Sequence, residues 1–548
     1  MRVTAPDLTA PGRPLPTRGK RHRALAALPD RRSLAWAGVT LLAAAALFVA
    51  YLYQARTQTV DSDGAAQALQ AWDILHGNVL LHGWTLGDVS FYPTELPEFV
   101  LIEAFYGLRP DVVHLGAAIT YMLVVVLTAA VARGRSRGRE GVLRALIGAG
   151  VVIAPAGGVT SYALLFAPDH TGTAVPILVT LLVFDRFRSS RYLPLIALPL
   201  LTWMLVADQL TLVAAVAPVA VTAAVRVTGF GRDGGSRWRY VWLGLAAVTS
   251  VGLANLAVSG IHAAGGFYQI PLTQTRLQAG PFAPLGEIPQ NTRMLGVTIS
   301  TLFSLYAVPS ADWFSIVIVT IRVILACGCA LAVLLGLARF RRLDLVTQIL
   351  IVAVVMLLAV GLLGTWLTTP LDAHQIAVLL PLSAALAGRA MPARLLAIRG
   401  WPGTLRSAGL AAVLCVQFAG LGYTASSPAM VPVEANLAGW LLEHGFTSGL
   451  AGYWESNSVM LDSGGRITMA DVQGPPTGPV PYWWETKASW YDPASYRADF
   501  VITSPRGAPD LHVPESLLIT WFGRPARIYD VPPYTVTVWS KNLLPLLR

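Results

Sequence analysis

The sequence is poor in charged residues: only 13% of its 548 residues are Asp, Glu, Lys or Arg, while 54% are hydrophobic. Because soluble domains carry about 25% charged residues, a soluble globular protein is excluded. Lysine is nearly absent (Lys20, Lys487 and Lys541), so the net charge of +10 comes from arginine. The arginines concentrate in short connectors between apolar runs, which is typical of cytoplasmic loops and not of nucleic-acid binding.

Cysteine is also scarce. Cys327, Cys329 and Cys415 all lie within apolar runs, and the hydrophilic C-terminal part has none. No disulfide framework follows, and a Cys-Gly-Cys within a helix is not a metal-binding pattern. We expect these cysteines to be small core residues.

What the chain does have is a series of apolar runs near 20 residues long, which predicts a polytopic α-helical membrane protein. We predict eleven spans with the N-terminus cytoplasmic and the C-terminus outside, because every Arg-dense connector then lies inside. The predicted spans are 34–53, 112–131, 145–165, 175–184, 193–206, 210–225, 241–258, 313–337, 345–367, 376–386 and 410–423. Val297–Val308 is predicted to be a re-entrant or interfacial piece.

Three regions follow from this pattern. Residues 1–32 are predicted to be a disordered, basic cytoplasmic arm, and residues 33–424 a transmembrane domain with external loops at 54–110 and 260–311. Residues 425–548 are predicted to be a small extracytoplasmic α/β domain, with a helix at Val433–His444. Its predicted strands are 449–454, 457–462, 465–470, 499–504, 525–531 and 534–540.

The first external loop carries two acids just after the first span, in Asp61-Ser62-Asp63. An amphipathic helix over Ala65–Leu75 follows, and Gly77-Asn78 is a plausible stop. A short apolar stretch, Phe99–Leu108, is predicted to lie in the membrane interface. Two interpretations of Asp63 stay open: it caps the amphipathic helix, or it performs chemistry.

Other residues predicted to be external are candidates for substrate contact, each with a structural alternative. Asp169 and His170 are a loop turn or a site, His82 and Trp84 are sugar contacts or interface anchors, and Glu95 lies between two prolines. Arg276 and Arg293 are candidates for binding phosphate, while Arg322, within a span, is either functional or paired inside the bundle. The aromatic pairs Trp483-Trp484, Trp490-Tyr491 and Tyr453-Trp454 either stack on glycans or form a domain core.

The order of these motifs resembles that of the GT-C superfamily of membrane glycosyltransferases, of the actinobacterial, mannosyltransferase- or arabinosyltransferase-like type. Asp61-Ser62-Asp63 resembles their acidic motif, and Tyr92–Pro97 with Phe105-Tyr106-Gly107-Leu108 resembles their Pro-containing segment and second interface helix. Pro168-Asp169-His170 resembles their second acidic position. Asp372–Ala387 resembles a late helix that often begins Arg-Tyr, where this chain has His374-Gln375.

The resemblance implies a multi-pass plasma-membrane enzyme that transfers a hexose or pentose from a polyprenyl-phosphate donor to an envelope glycan, lipid or protein. Asp63 is then the general base, and Asp61 is a second catalytic residue or a substrate contact. A Mg²⁺ or Mn²⁺ ion held by Asp61 and Asp63 is one option for a cofactor. The alternatives are a transporter or flippase of lipid-linked glycans and a non-catalytic envelope protein with the same architecture. The sequence shows no internal repeat of the transporter kind.

Overall fold

The computed structural model describes residues 31–167, 169–229, 236–275, 280, 282–306, 312–390, 403–475, 477–504, 511 and 513–548. Residues 1–45 and 46–548 form two compact units. Of the first unit, the structure describes the beginning of the first helix only, so most of the predicted arm 1–32 lies outside the described residues.

Helices dominate the chain up to residue 425, as the apolar runs predict. They are α1 (Arg31–Ala55), α2 (Ser62–Leu75), α3 (Glu95–Tyr106), α4 (Asp111–Arg133), α5 (Gly138–Val152), α6 (Val159–Leu165), α7 (Asp169–Gly172), α8 (Ala174–Phe187), α9 (Leu193–Ala207), α10 (Ala217–Val227, preceded by a π-helical turn Leu212–Val216), α11 (Arg237–Ala263), α12 (Ile288–Leu302), α13 (Trp313–Ala338), α14 (Leu345–Leu363), α15 (Leu379–Ala390, preceded by a 3-10 helix Pro370–Ile376) and α16 (Gly403–Ala425).

Six of these helices are long and apolar enough to cross a membrane: α1, α4, α11, α13, α14 and α16. Two bent pairs, α6 with α7–α8 and the 3-10 helix with α15, raise the number to eight if each pair is one span. The multi-pass membrane architecture is thereby confirmed, while the count of eleven stays a prediction. Each bent pair turns by 56° at its break.

The predicted third span, 145–165, is wrong as a continuous helix. Its backbone is not helical between α5 and α6, at residues 153–158, where Pro155 and two glycines follow one another closely. Buried side chains of other helices bond the carbonyl groups at this break: Tyr51 donates to Ile153 at 2.7 Å, and Arg322 to Ala154 at 2.9 Å. Arg322 therefore pairs with a carbonyl, as one of its two interpretations requires. Irregular backbone at membrane depth is tolerated only where its polar groups are satisfied in this way.

Of the stretch predicted to be re-entrant or interfacial, Val297–Val308, residues 297–302 belong to α12 (Ile288–Leu302) and residues 303–306 follow that helix. Residues 307–311 lie outside the described residues, and the re-entrant or interfacial placement stays a prediction.

Residues 433–548 contain the predicted α/β arrangement. Its helices are α17 (Val433–Glu443), α18 (Tyr453–Asp462) and α19 (Glu515–Phe522). Its strands are β3 (Ser448–Ala451), β4 (Thr468–Gln473), β5 (Val480–Pro481), β6 (Thr486–Lys487), β7 (Phe500–Thr503), β8 (Arg527–Val531) and β9 (Tyr534–Val538), which follow β1 (Trp84–Leu86) and β2 (Tyr268–Gln269) of the preceding loops. The predicted strand at 457–462 is wrong, because those residues form the second half of α18.

Six strands form the main sheet in the order β5-β4-β3-β7-β9-β8. The central strands β4, β3 and β7 are parallel, and the remaining pairs are antiparallel. α18 begins directly after β3, so its first residue, Tyr453, lies beyond the carboxyl end of the central parallel strands. Open α/β sheets bind ligands at this edge.

A second, three-stranded sheet joins distant parts of the chain in the order β2-β1-β6. β1 pairs with β6 of the C-terminal part, with Trp84 opposite Lys487 and Thr85 opposite Thr486. The first loop and residues 437–544 also share one hydrophobic core, which includes Leu69, Trp84, Leu450 and Phe500. The predicted boundary at 424/425 therefore stays a prediction, since the core of the C-terminal part is shared with the first loop.

Candidate active site

The acidic motif of the first loop begins α2. Asp61 is the N-cap, and its Oδ1 accepts hydrogen bonds from the backbone N–H groups of Asp63 at 3.1 Å and Gly64 at 3.2 Å. The cap is thus Asp61 and not Asp63, which favours the chemical interpretation of Asp63. Burial and then the charge of Asp63 raise the pKa of Asp61 well above its ordinary value.

Asp63 contacts the C-terminal part of the chain. The Tyr453 hydroxyl donates a hydrogen bond to Asp63 Oδ1, and the Ser62 hydroxyl donates to the Tyr453 carbonyl oxygen. Burial and then the Asp63 charge raise the pKa of Tyr453 well above 10, so that Tyr453 remains a hydrogen-bond donor at neutral pH. The N-terminus of α2 and that of α18 are thereby held together.

A pocket with about 430 Å³ of space between its atoms lies at this junction. It is lined by Asp63, Gln67, Gly87, Asp88, Val89, Phe91, Asp169, His170, His374, Gln375, Trp484 and Glu485. Its walls thus come from the first loop, from both bent helix pairs and from the segment before β6. Among these lining residues are four carboxyl groups and two imidazoles, and neither Arg nor Lys is one of them.

Three predicted site residues form one cluster in this pocket. Asp169 and His170 begin α7, and His374 lies in the 3-10 helix before α15, so the bends of the two broken pairs bring them together. The Nε2 atoms of His170 and His374 lie 3.9 and 3.7 Å from carboxylate oxygens of Asp169. The two imidazoles stack, with ring centroids 5.6 Å apart and planes 8° from parallel.

The histidines are oriented by bonds to their other ring nitrogens. His170 Nδ1 lies 3.2 Å from Asp208 Oδ2, and His374 Nδ1 lies 2.7 Å from the Leu371 carbonyl oxygen. Burial opposes ionisation of Asp208, but His170 and Thr173 outweigh it and hold the pKa of Asp208 below its ordinary value. Asp208 is therefore an ionised group that orients His170, as carboxylates do behind metal-binding histidines.

This cluster has donors suited to a cation. Asp169, His170 and His374 each offer one ligand atom, and these atoms lie within 4.8 Å of one another. In the described part of the chain it is the one such group of three His, Cys, Asp or Glu residues. Two imidazole nitrogens with one carboxylate oxygen suit Zn²⁺ or a similar transition metal better than Mg²⁺, which prefers oxygen ligands alone.

The other predicted contacts lie away from the pocket lining. His82 is exposed and bonds the Gly265 carbonyl oxygen at 2.7 Å, while Trp84 is buried and donates to Asp73 at 2.8 Å. Glu95 is buried beside Thr94, and burial raises its pKa to about 8. Arg293 is exposed on α12. Arg276 lies outside the described residues.

The pocket also contains residues that the sequence analysis did not propose as site residues. Asp88, buried, accepts a hydrogen bond from Thr275 at 2.9 Å, and Gln375 follows His374 in the chain. Glu485 comes from a part of the chain about 420 positions after Asp63, for which no spacing rule exists. The only sequence signal near it was the aromatic pair Trp483-Trp484.

The apolar helices and their bent pairs, with an acidic pocket where the broken helices meet the first loop, define a multi-pass α-helical membrane protein. The structure matches that of ArnT from Cupriavidus metallidurans, crystallised bound to undecaprenyl phosphate, with a TM-score of 0.55 and 11% sequence identity. The match covers 94% of this chain and 99% of that chain, so the two proteins share a fold, as the resemblance noted in the sequence implied.

A zinc- and sulfate-bound oligosaccharyltransferase from Archaeoglobus fulgidus also matches, with a TM-score of 0.44 and 12% identity over 85% of this chain and 68% of that chain. No protein-family model matches the sequence, and a search of curated proteins finds no significant match.

Proposed function

We propose that the protein is an integral-membrane glycosyltransferase that transfers a sugar from a polyprenyl-phosphate donor to an acceptor outside the cytoplasm. The observation that carries the proposal is the convergence of Asp63 with Asp169, His170 and His374 on one pocket. These residues come from three separate loops, and the pocket lies where broken helices meet the first loop. A site at such a boundary suits a donor with a lipid tail and a polar head.

Asp63 is the general base of the proposed reaction. An acceptor hydroxyl loses its proton to the Asp63 carboxylate as its oxygen forms a bond to the anomeric carbon of the donor sugar. The bond from that carbon to the phosphate oxygen breaks, and its electron pair leaves with the lipid phosphate. The hydrogen bond from Tyr453 orients the Asp63 carboxylate for this step.

The phosphate needs a positive partner, and the described pocket lining offers two histidines and neither Arg nor Lys. Asp169, His170 and His374 would hold a divalent cation, which would supply the charge that stabilises the leaving phosphate. We therefore propose this cluster as the cation site, in place of Asp61 and Asp63, which the sequence suggested. Asp61 is already engaged as the helix cap.

The test uses the full-length protein in lipid nanodiscs, supplied with radiolabelled polyprenyl-phosphate sugars and cell-envelope acceptors. We expect transfer by the wild type and its loss in Asp63→Asn, while Asp530→Asn, at an exposed carboxylate of the C-terminal part, keeps full activity. Undiminished transfer in both Asp63→Asn and Asp61→Asn would disprove the catalytic assignment. Movement of labelled lipid across the bilayer without transfer would instead identify a flippase.

A further inference from the structure

The pocket has one wall that the proposed chemistry does not use. Trp484 and Glu485 of the C-terminal part line this wall, whereas the histidines come from the ends of the broken helices. Trp484 is half-buried, whereas its neighbour Trp483 is 46% exposed, packs on Tyr491 with ring centroids 4.8 Å apart, and is not among the lining residues.

Glu485 is held in place from two elements of the first loop. Its Oε1 accepts a hydrogen bond from the backbone N–H of Gly87 at 2.7 Å, and its Oε2 accepts one from the buried Gln70 amide. The Glu485 backbone has a φ of +48°, which is uncommon for a residue other than glycine. Such conformations cluster at functional sites, where the surrounding structure enforces them.

Gly87 allows this wall to approach the first loop. A Cβ atom at position 87 would lie 2.8 Å from Trp484 Cζ2 and 2.9 Å from Glu485 Oε1. Both distances are shorter than real Cβ contacts, so any larger residue would force these two side chains to shift. The absence of a side chain at position 87 therefore places an indole and a carboxyl group side by side.

We propose that Trp484 and Glu485 form a saccharide subsite, which commits the acceptor to be a glycan. The indole packs against the C–H groups of a sugar ring, and the Glu485 carboxyl bonds a hydroxyl of that sugar. Calling this saccharide the acceptor rests on the proposed function. We assign the subsite to the acceptor because the cation cluster at the helix ends, in the same pocket, suits the lipid phosphate of the donor.

The ionisation of Glu485 agrees with such a contact. Burial raises the pKa of Glu485 to about 8. Near neutral pH the carboxyl group is thus mostly protonated, so that it both donates a hydrogen bond to a sugar hydroxyl and accepts one from another hydroxyl group.

The test measures binding of two soluble probes, mannotetraose and arabinotetraose, to the full-length protein in nanodiscs without donor, by saturation-transfer NMR and fluorescence titration. We expect at least one probe to bind the wild type, with affinity about tenfold lower in Trp484→Leu and in Glu485→Ala, which removes both the hydrogen-bond donor and the acceptor. Trp483→Leu is the matched control, and we expect its affinity to be unchanged. Trp484→Phe keeps an aromatic ring and should keep most of the binding, which separates stacking from misfolding.

Transfer assays complete the test, with KM measured separately for acceptor and donor. The Trp484 and Glu485 variants should raise the KM for acceptor about tenfold and leave the KM for donor unchanged. Failure of both probes to bind, equal losses in the Trp483 and Trp484 variants, or a raised KM for donor alone would overturn the subsite. Probe binding that depends on Trp484 in a protein without transfer would instead overturn the proposed function and leave the subsite standing.

Discussion

α8 and α15 have charged residues near both of their ends, but the two ends differ in how those charges are paired. α8 and α15 follow Asp169, His170 and His374 at one end, and carry Asp185 and Arg389 near the other. At that far end, the buried Arg389 guanidinium donates to Asp344 at 2.9 Å and to Asp185 at 3.4 Å. At the pocket end, four carboxyl groups face two imidazoles, with no Arg or Lys among the described lining residues.

The contrast separates structural from functional charge. Buried ions that are paired with each other, like Arg389 with Asp185 and Asp344, fix the positions of helices. Their charges are already balanced and do not require a ligand. The pocket end instead gathers carboxyl groups and imidazoles around a cavity, an arrangement that a bound ligand or cation can complete. The pocket end therefore carries the stronger functional signal.

The largest effect is expected at Asp63. Asp63→Asn should lower transfer about 10²- to 10⁴-fold, the usual contribution of a general base, with unchanged thermal stability. Asp61→Asn is its matched control, because Asn caps helices about as well as Asp, and we expect less than about a tenfold loss. Steady-state rates and melting temperatures of both variants measure this, and equal losses at the two positions would contradict the assigned roles.

The opposite end should respond in stability and not in chemistry. Arg389→Gln leaves Asp185 and Asp344 without their buried cation, and we expect a loss of about 3–5 kcal/mol in the free energy of unfolding. The folded fraction should keep the wild-type KM for donor and acceptor. Thermal unfolding in detergent measures the loss, with Arg342→Gln, at an exposed arginine, as control. A selective change in KM would place function at this end as well.

Asp208 tests the cation cluster indirectly, because it contacts His170 and is not itself one of the three possible ligands. Asp208→Asn removes the carboxylate that orients His170, and we expect affinity for an added divalent metal to fall about 10- to 100-fold. Metal titration after chelation, with Zn²⁺, Mn²⁺ and Mg²⁺ compared, gives the affinities. If chelation leaves transfer by the wild type intact, the cluster acts through its imidazoles alone.

A gradual effect is expected at Glu103, as a dependence of stability on pH. This α3 residue is buried, neither carboxyl oxygen has a hydrogen-bond partner among the described residues, and burial raises its pKa to about 9. The folded protein thus keeps a proton that the unfolded chain loses near pH 4.3. The stability from Glu103 is full below that pH and is lost as the pH rises through 9.

Between pH 5 and 8 the free energy of unfolding should therefore fall with rising pH, by no more than about 1.4 kcal/mol per unit from this group. Glu103→Gln should flatten that slope. Glu140→Gln, at a surface residue paired with Arg144, should leave it unchanged. An unaltered slope in the Glu103 variant would mean that the carboxyl group is already ionised in the folded protein.

Local patterns predicted the fold well where one physical signal dominates. The apolar runs gave the long helices, and the spacing of Ala65–Leu75 predicted the core of α2, which begins three residues earlier at Ser62. The strand predicted at 457–462 failed because α18 is buried along most of its length, so its residues lack an alternation that separates helix from strand.

The site was predictable in parts and not as a whole. The residues Asp63, Asp169, His170 and His374 stood out through their types and through the order of the motifs. Their meeting in one pocket depends on the bends of two broken helix pairs, which sequence periodicity does not reveal. Trp484 and Glu485 reach the pocket through strand pairing between β1 and β6, a contact between residues about 400 positions apart.

That pairing sets an order of events during biosynthesis. β1 emerges early, but its partner β6 is translated only after nearly nine-tenths of the chain. Until then the pocket lacks its Trp484–Glu485 wall, and Asp63 lacks the hydroxyl of Tyr453. A nascent chain that has inserted its membrane helices therefore has no complete pocket until the C-terminal segment has folded onto the first loop.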